Sequence, residues 1–272
     1  MDVEIVTPAG RKKSLEILYN YLKYQKKDFK QWTLWLNTTN HIDINYCKQL
    51  KKENSWIKTI DLDVHFNGSH SIYSFFKHSC DPNKIYIRLD DDIVWIEKDF
   101  IRKLSAFRHQ NPEYFLVYGN IINNAVIDHL QQRFGNFQIK EFLEYDAFGK
   151  NSWGNPHIAL QKHEDFIKAI LMNDIEKFKF NQWILHLYER VSINCISWIG
   201  SEFEKFNGKV EQDEELYLSV LKPQELKKPN IIYGQAVCVH YAFFTQREYL
   251  NKNTNLLNRY KFISELYERI PN

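Results

Sequence analysis

Apolar residues along this chain recur with two alternating periods. Short β-rich runs stand at Val3 to Thr7, Trp32 to Asn37, Ile57 to Leu62 and Ile85 to Leu89. Between them the apolar positions fall three and four apart: Leu15, Leu18, Tyr19 and Leu22, then Ile44, Cys47 and Leu50, then Ile72, Phe75 and Phe76. The first pattern predicts strands and the second predicts helices. Strict strand–helix alternation predicts an α/β fold with a mostly parallel central sheet and right-handed crossovers.

The fourth run passes straight into Asp90-Asp91-Asp92, with a helix predicted from Lys98 to Gln110 on Phe100, Ile101, Leu104 and Phe107. A strand is expected at Phe115 to Gly119. From Asn120 to Pro156 no period is visible, and long irregular segments of this kind are usually functional loops. Helices are predicted at His163 to Leu171, near Ile175 to Tyr188 and from about Thr254 to Arg269. Strands are predicted at Val191 to Trp198 and Ile231 to Val239. No linker or repeat interrupts the 272 residues, so one domain is expected, with halves at 1–120 and 121–272.

Three consecutive carboxylates at the end of an apolar strand repel one another and resist desolvation. Read as extended chain, alternation places Asp90 and Asp92 on one side and Asp91 on the other. Such a cluster is tolerable facing water, a basic neighbour or a divalent cation, and hard oxygen ligands suit Mg²⁺ or Mn²⁺. Ligands of open α/β sheets bind at the carboxyl ends of strands. A solvated acidic turn is the plainer alternative.

Three further places could carry chemistry. Thr7-Pro8-Ala9-Gly10-Arg11 lies between the first strand and a helix, where backbone amides can hold an anion and Arg11 can add a paired contact. A plain strand–helix turn explains it equally well. Glu211-Gln212-Asp213-Glu214-Glu215 is either a helix start, with acids at the favourable end of the dipole, or the source of a general base. His240 ends the Val237-Cys238-Val239 run, where a lone histidine is either structural or a metal ligand.

Composition narrows the classes. A net charge of +2 gives no reason to expect nucleic acid. Cys47, Cys80, Cys195 and Cys238 form no CxxC pair, which argues against a zinc site or a disulfide framework. No basic-then-apolar leader opens the chain, and no run approaches the roughly 20 apolar residues of a membrane span. The expectation is a cytoplasmic protein with at most peripheral membrane contact.

A strand-end DxD in Tyr86-Ile87-Arg88-Leu89-Asp90-Asp91-Asp92-Ile93, a later Asp-Glu pair opening a helix and a late strand–His resemble the GT-A-fold, nucleotide-sugar-dependent glycosyltransferases, including small bacterial and large-DNA-virus members. The resemblance covers the order of elements over most of the chain, and its motifs are short. It implies a Rossmann-like three-layer α/β/α domain with a C-terminal helical elaboration. It implies that Asp90, Asp92 and His240 hold Mn²⁺ or Mg²⁺, and that Asp91 meets the donor's ribose or sugar. Thr7, Pro8, Ala9, Arg11 and Arg88 would line the donor pocket, with UDP-sugars favoured. Asn67 and Gly68 match a donor-flanking position only loosely. Asp213 matches the base of inverting members, with Glu214 its rival. Tyr145, Trp153 and His157 would meet a carbohydrate acceptor.

Rival families fit less well. Asp90-x-Asp92 also suits a haloacid-dehalogenase-type Mg-dependent phosphatase, but that motif normally begins its fold. A sugar-1-phosphate nucleotidyltransferase would need a more glycine-rich first loop than Pro8-Ala9-Gly10. A non-catalytic carbohydrate-binding protein would explain the aromatic loops but not two acid clusters and a histidine.

Overall fold

The computed structural model describes residues 1–267. Strand β1 (Asp2–Ala9) leads to helix α1 (Lys12–Tyr24), β2 (Gln31–Leu36) to α2 (His41–Glu53), and β3 (Ile57–Asp61) to a 3₁₀ segment at Gly68–His78 and then β4 (Lys84–Leu89). Pairing is parallel between β1 and β2, β2 and β3, and β1 and β4. The first half is therefore the parallel α/β unit that the alternation predicts. The helix faces agree as well: Leu15, Leu18 and Leu22 of α1 and Cys47 and Leu50 of α2 are buried.

The second half mixes directions. After β5 (Ile93–Ile96) come α3 (Phe100–Gln110), β6 (Val117–Ile122), α4 (Ala125–Arg133), α5 (Pro156–Leu171) and the short β7 (Gln182–Ile184). Then follow β8 (Cys195–Ile199), α6 (Gly200–Glu204), α7 (Glu214–Leu216), α8 (Lys222–Leu226), β9 (Ile231–His240), α9 (Phe244–Asn253) and α10 (Leu256–Glu265). The sheet runs β3-β2-β1-β4-β8-β6-β9-β5, with β7 on β9. Strand β8 lies antiparallel between β4 and β6, while β6 and β9 are parallel. The architecture is a mixed α/β, Rossmann-like sheet with helices around it. Buried side chains from Ile5 to Tyr267 form one apolar cluster.

Several expectations are corrected. The aspartates do not continue an extended strand: Ile93 N–H bonds to Asp90 C=O at 3.0 Å and closes a turn. The side-to-side alternation of Asp90, Asp91 and Asp92 is therefore lost. A buried strand, β5, separates this turn from α3, because Ile93, Trp95 and Ile96 find ladder partners on β9. The stretch from Ile175 to Tyr188 is a 3₁₀ turn at Ile175–Phe178 and then β7, not one helix. Its apolar spacing suited either period, and pairing with β9 decided it. The segment after Asn120 is not wholly irregular, since Asn124 Oδ1 accepts from Ile127 N–H and caps α4. The helix expected from about Thr254 is α10, its predicted end at Arg269 lies outside the described residues, and α9 before it had no counterpart in the expected elements. Among the described residues no helix is long and apolar enough to cross a membrane.

Candidate functional site

A cleft of about 630 Å³ opens beside the carboxyl ends of β1, β2 and β4. The aspartate turn forms its floor and is stitched in place by distant chain: Asp90 N–H donates to Asn194 C=O and Tyr241 N–H to Asp92 C=O, each at 2.9 Å. Gly10 brings the β1 loop against β2, where a Cβ would stand 3.1 Å from the Asn37 carbonyl oxygen. Its N–H donates to Asp91 Oδ2 at 2.8 Å.

Each aspartate has its own arginine. Arg88 Nε donates to Asp90 Oδ1 at 2.9 Å, and Asn194 Nδ2 to Oδ2 at 3.2 Å. Arg11 Nε donates to Asp91 Oδ1 at 2.7 Å. Arg247 Nη2 donates to Asp92 Oδ2 at 2.7 Å, with Arg11 Nη1 at 3.3 Å from the same oxygen. These three arginines, with Arg11 shared between Asp91 and Asp92, offset three adjacent negative charges. Burial pushes the Asp91 carboxyl up, against Arg11. Burial would also raise Asp92, but Arg11, Arg247 and, when its ring is charged, His240 hold it well below the usual carboxylate range.

His240 Nδ1 lies 3.0 Å from the Asn123 carbonyl oxygen. A carbonyl only accepts, so that nitrogen carries the proton. In the neutral ring, Nε2 then presents a lone pair 3.5 Å from Asp92 Oδ2. Two acceptors then face each other, with the Arg247 and Arg11 guanidinium groups supplying positive charge at the same Asp92 oxygen. Asp92 Oδ1 is buried with no hydrogen-bond partner, which supplies a further free oxygen. Asp92 and His240 thus fit a divalent cation, whereas Asp90 is turned onto Arg88 and Asn194. No group of three or more His, Cys, Asp or Glu able to hold a metal occurs among the described residues. A cation here would need oxygens from a ligand, as Mg²⁺ sites with substrate phosphates do.

The second acidic cluster closes the other side of the cleft. Asp213 caps α7, its Oδ1 accepting from Leu216 N–H at 3.0 Å and from Arg190 Nη2 at 2.9 Å. It is bound to both of these and largely exposed. Glu214 is the reverse: buried, with Oε1 accepting from Arg88 Nη1 at 2.8 Å and Oε2 without a partner. Burial pushes its carboxyl up to about 7, helped by Asp90 and Glu215 and opposed by Arg88. That value suits a general base near neutral pH.

Of the other sequence candidates, Pro8, Arg11, Gly68, Arg88 and Trp153 line the cleft with the aspartates, Asp213, Glu214 and His240. Thr7, Ala9, Asn67, Tyr145 and His157 are not among its lining residues. Thr7 Oγ1 instead accepts from Trp32 Nε1 at 2.9 Å inside the core, and Ala9 is fully buried. Asn67, itself exposed, donates its N–H to the buried Ser71 Oγ. Tyr145 packs on His129 and accepts from Trp183 Nε1 at 3.2 Å, and the His157 ring lies tilted against Tyr249 with centroids 4.5 Å apart.

Sequence reasoning missed Arg247, Arg190, Asn194, Phe148 and Phe244, all of which line the cleft. Trp153 stands 5.6 Å from Phe148 and 5.1 Å from Phe244 between ring centroids, and Arg190 lies 4.7 Å over Phe148. Arg247 gave no signal because α9 buries little besides Gln246 and Leu250, leaving no apolar stripe to mark a helix. Phe243-Phe244 beside Trp153 was the one legible hint, a pair of aromatics just past the strand–His.

No family model matches the sequence, and no curated protein matches it. Among solved structures, CMP:2-keto-3-deoxy-manno-octonic acid synthetase complexed with CTP is similar at 10% identity and a TM-score of 0.49, over 95% of this chain and 99% of that one. The 4-diphosphocytidyl-2C-methyl-D-erythritol synthase from Anaerococcus prevotii is similar at 16% identity and a TM-score of 0.34, over 45% of this chain and 55% of that one. HddC from Yersinia pseudotuberculosis, complexed with GMP-PN, gives 14%, 0.34, 46% and 61% for the same measures. The chain thus spans little more than half the length of two of these three proteins. Likenesses this distant bear on neither activity nor substrate.

Proposed function

We propose that this chain is a glycosyltransferase acting as one domain, which moves a sugar from a nucleoside-diphosphate sugar, UDP-sugars favoured, to a carbohydrate hydroxyl with inversion. The observation that carries the reading is Glu214, a buried carboxyl raised to about 7 with one free oxygen, in the same cleft as the Asp92–His240 pair. Glu214 therefore replaces Asp213 as the preferred base. It takes the acceptor's hydroxyl proton while the oxygen bonds to the anomeric carbon. The bond from that carbon to the donor's phosphate oxygen breaks on the opposite face, and the diphosphate leaves with the electron pair.

Arg11 and Arg247 stand where they can pair with diphosphate oxygens. Asp92 and His240 would hold Mn²⁺ or Mg²⁺, which when bound would offset the charge on the departing diphosphate. Trp153, with Phe148 and Phe244, offers ring faces to an acceptor sugar. A phosphatase reading needs a free aspartyl nucleophile, and Asp90 is clamped by Arg88 and Asn194.

The test is a thermal-shift panel of nucleoside diphosphates and nucleotide sugars with and without Mn²⁺, followed by turnover assays on the stabilising donor. Stabilisation by one nucleotide with Mn²⁺, abolished in Asp92→Ala, supports the reading. No shift with any nucleotide sinks it, and binding without turnover on any carbohydrate points to a binding protein.

A further inference from the structure

We propose that the buried Lys162–Asp128 pair is a positioning device for His240, acting through Asn123 to fix which ring nitrogen carries the proton. Lys162 Nζ and Asp128 Oδ2 lie 2.5 Å apart, and both side chains are 0% exposed. A fully buried pair is often no better for stability than two apolar residues of the same size, so its presence asks for another reason.

The other carboxylate oxygen, Asp128 Oδ1, accepts from Asn123 N–H at 3.0 Å. Asn123 is fully buried and has a φ of 63°, the left-handed region that non-glycine residues enter at a cost. Its Nδ2 donates to Tyr241 C=O at 3.1 Å and to Gln246 Oε1 at 3.0 Å. Held from three directions, the Asn123 peptide turns its carbonyl onto His240 Nδ1 at 3.0 Å. The chain of contacts ends with the Nε2 lone pair facing Asp92. Asp128 and Lys162 touch neither Asp92 nor any group proposed to react, so theirs is a positioning role. Its use for cation binding rests on the reading given above.

Two variants separate this role from mere packing. Asp128→Asn keeps a carbonyl acceptor for Asn123 N–H. The double variant Asp128→Leu/Lys162→Met fills the space with apolar groups and removes that acceptor. The readouts are the ¹⁵N–¹H ring spectrum of His240 in metal-free protein with the ring neutral, and Mn²⁺ binding in the presence of UDP. Wild type and Asp128→Asn should carry the proton on Nδ1. The double variant should move part of the population to Nε2–H and weaken Mn²⁺ binding about 10-fold or more, as loss of a ligand-orienting partner does. A wild-type ring protonated on Nε2 overturns the inference whether or not any variant folds, and so does a folded double variant with the wild-type tautomer. If the tautomers follow the expected pattern but wild type binds no Mn²⁺, the cation reading fails and the positioning role stands.

Discussion

Arg88 Nη1 donates to Glu214 Oε1 at 2.8 Å, joining residues 126 positions apart in the chain. The same guanidinium holds Asp90, so one buried arginine links the aspartate turn to the proposed base. Glu214→Gln should keep this hydrogen bond and the fold while losing the proton acceptor. Turnover is expected to fall by about 10²–10⁴ with donor affinity within a few fold, whereas Asp213→Asn should leave most activity. Separate kcat and donor-affinity measurements on both variants check this.

Because the Glu214 carboxyl is raised from 4.5 to about 7, activity should rise with pH through about 7 as the base ionises. Stability moves the other way. The folded state binds this proton more tightly than the unfolded one, so the contribution is complete below about 4.5 and is lost as pH climbs through 7. The span corresponds to about 3 kcal/mol at most. Urea unfolding at pH 5.5 and pH 8 should show this fall in wild type and a flatter dependence in Glu214→Gln.

Arg11→Met removes the main partner of Asp91 and one partner of Asp92. The Arg11 side chain is 42% exposed, which places the expected loss below that of a fully buried pair, at about 2 kcal/mol. Adding Asp91→Asn removes the stranded charge and should recover part of it. Chemical denaturation of the single and double variants measures the coupling, and equal stabilities would contradict the pairing.

Phe244 is 76% exposed beside Trp153. Phe244→Ala should change stability by no more than about 0.5 kcal/mol. It should raise the acceptor KM and leave nucleotide binding unchanged, with Phe244→Tyr close to wild type. Steady-state kinetics with the two substrates varied in turn separates these effects.

The parallel half was legible because its helices have one buried face, as Leu15, Leu18 and Leu22 show for α1, while β1, β2 and β4 are short runs buried on both faces. The aspartates were found for the same reason, as charges abutting a strand too apolar to need them. Their geometry was not legible: a turn closed by Asp90 and Ile93, gripped from Asn194 and Tyr241, leaves no mark in the spacing of nearby residues. Arg247 sits on a helix without an apolar stripe, so periodicity passes over it. The choice between Asp213 and Glu214 depends on burial, which neighbouring positions in one acidic run do not reveal.

Strand β8 enters the sheet between β4 and β6, and residues on either side of β8 and β9 clamp the aspartate turn. On a growing chain, β1 to β4 can pair with one another before β8 and β9 have been made, because their parallel partners all lie within these first four strands. The turn at Asp90 cannot set until Asn194 and then Tyr241 have been made. Contacts closed over such long loops are slow to form and come late. The clamp on the aspartates is therefore complete only once the chain has passed β9: a chain ending between Asp92 and β9 would keep Gly10, Arg11 and Arg88 beside the turn and lack Tyr241 and Arg247, the late partners of Asp92.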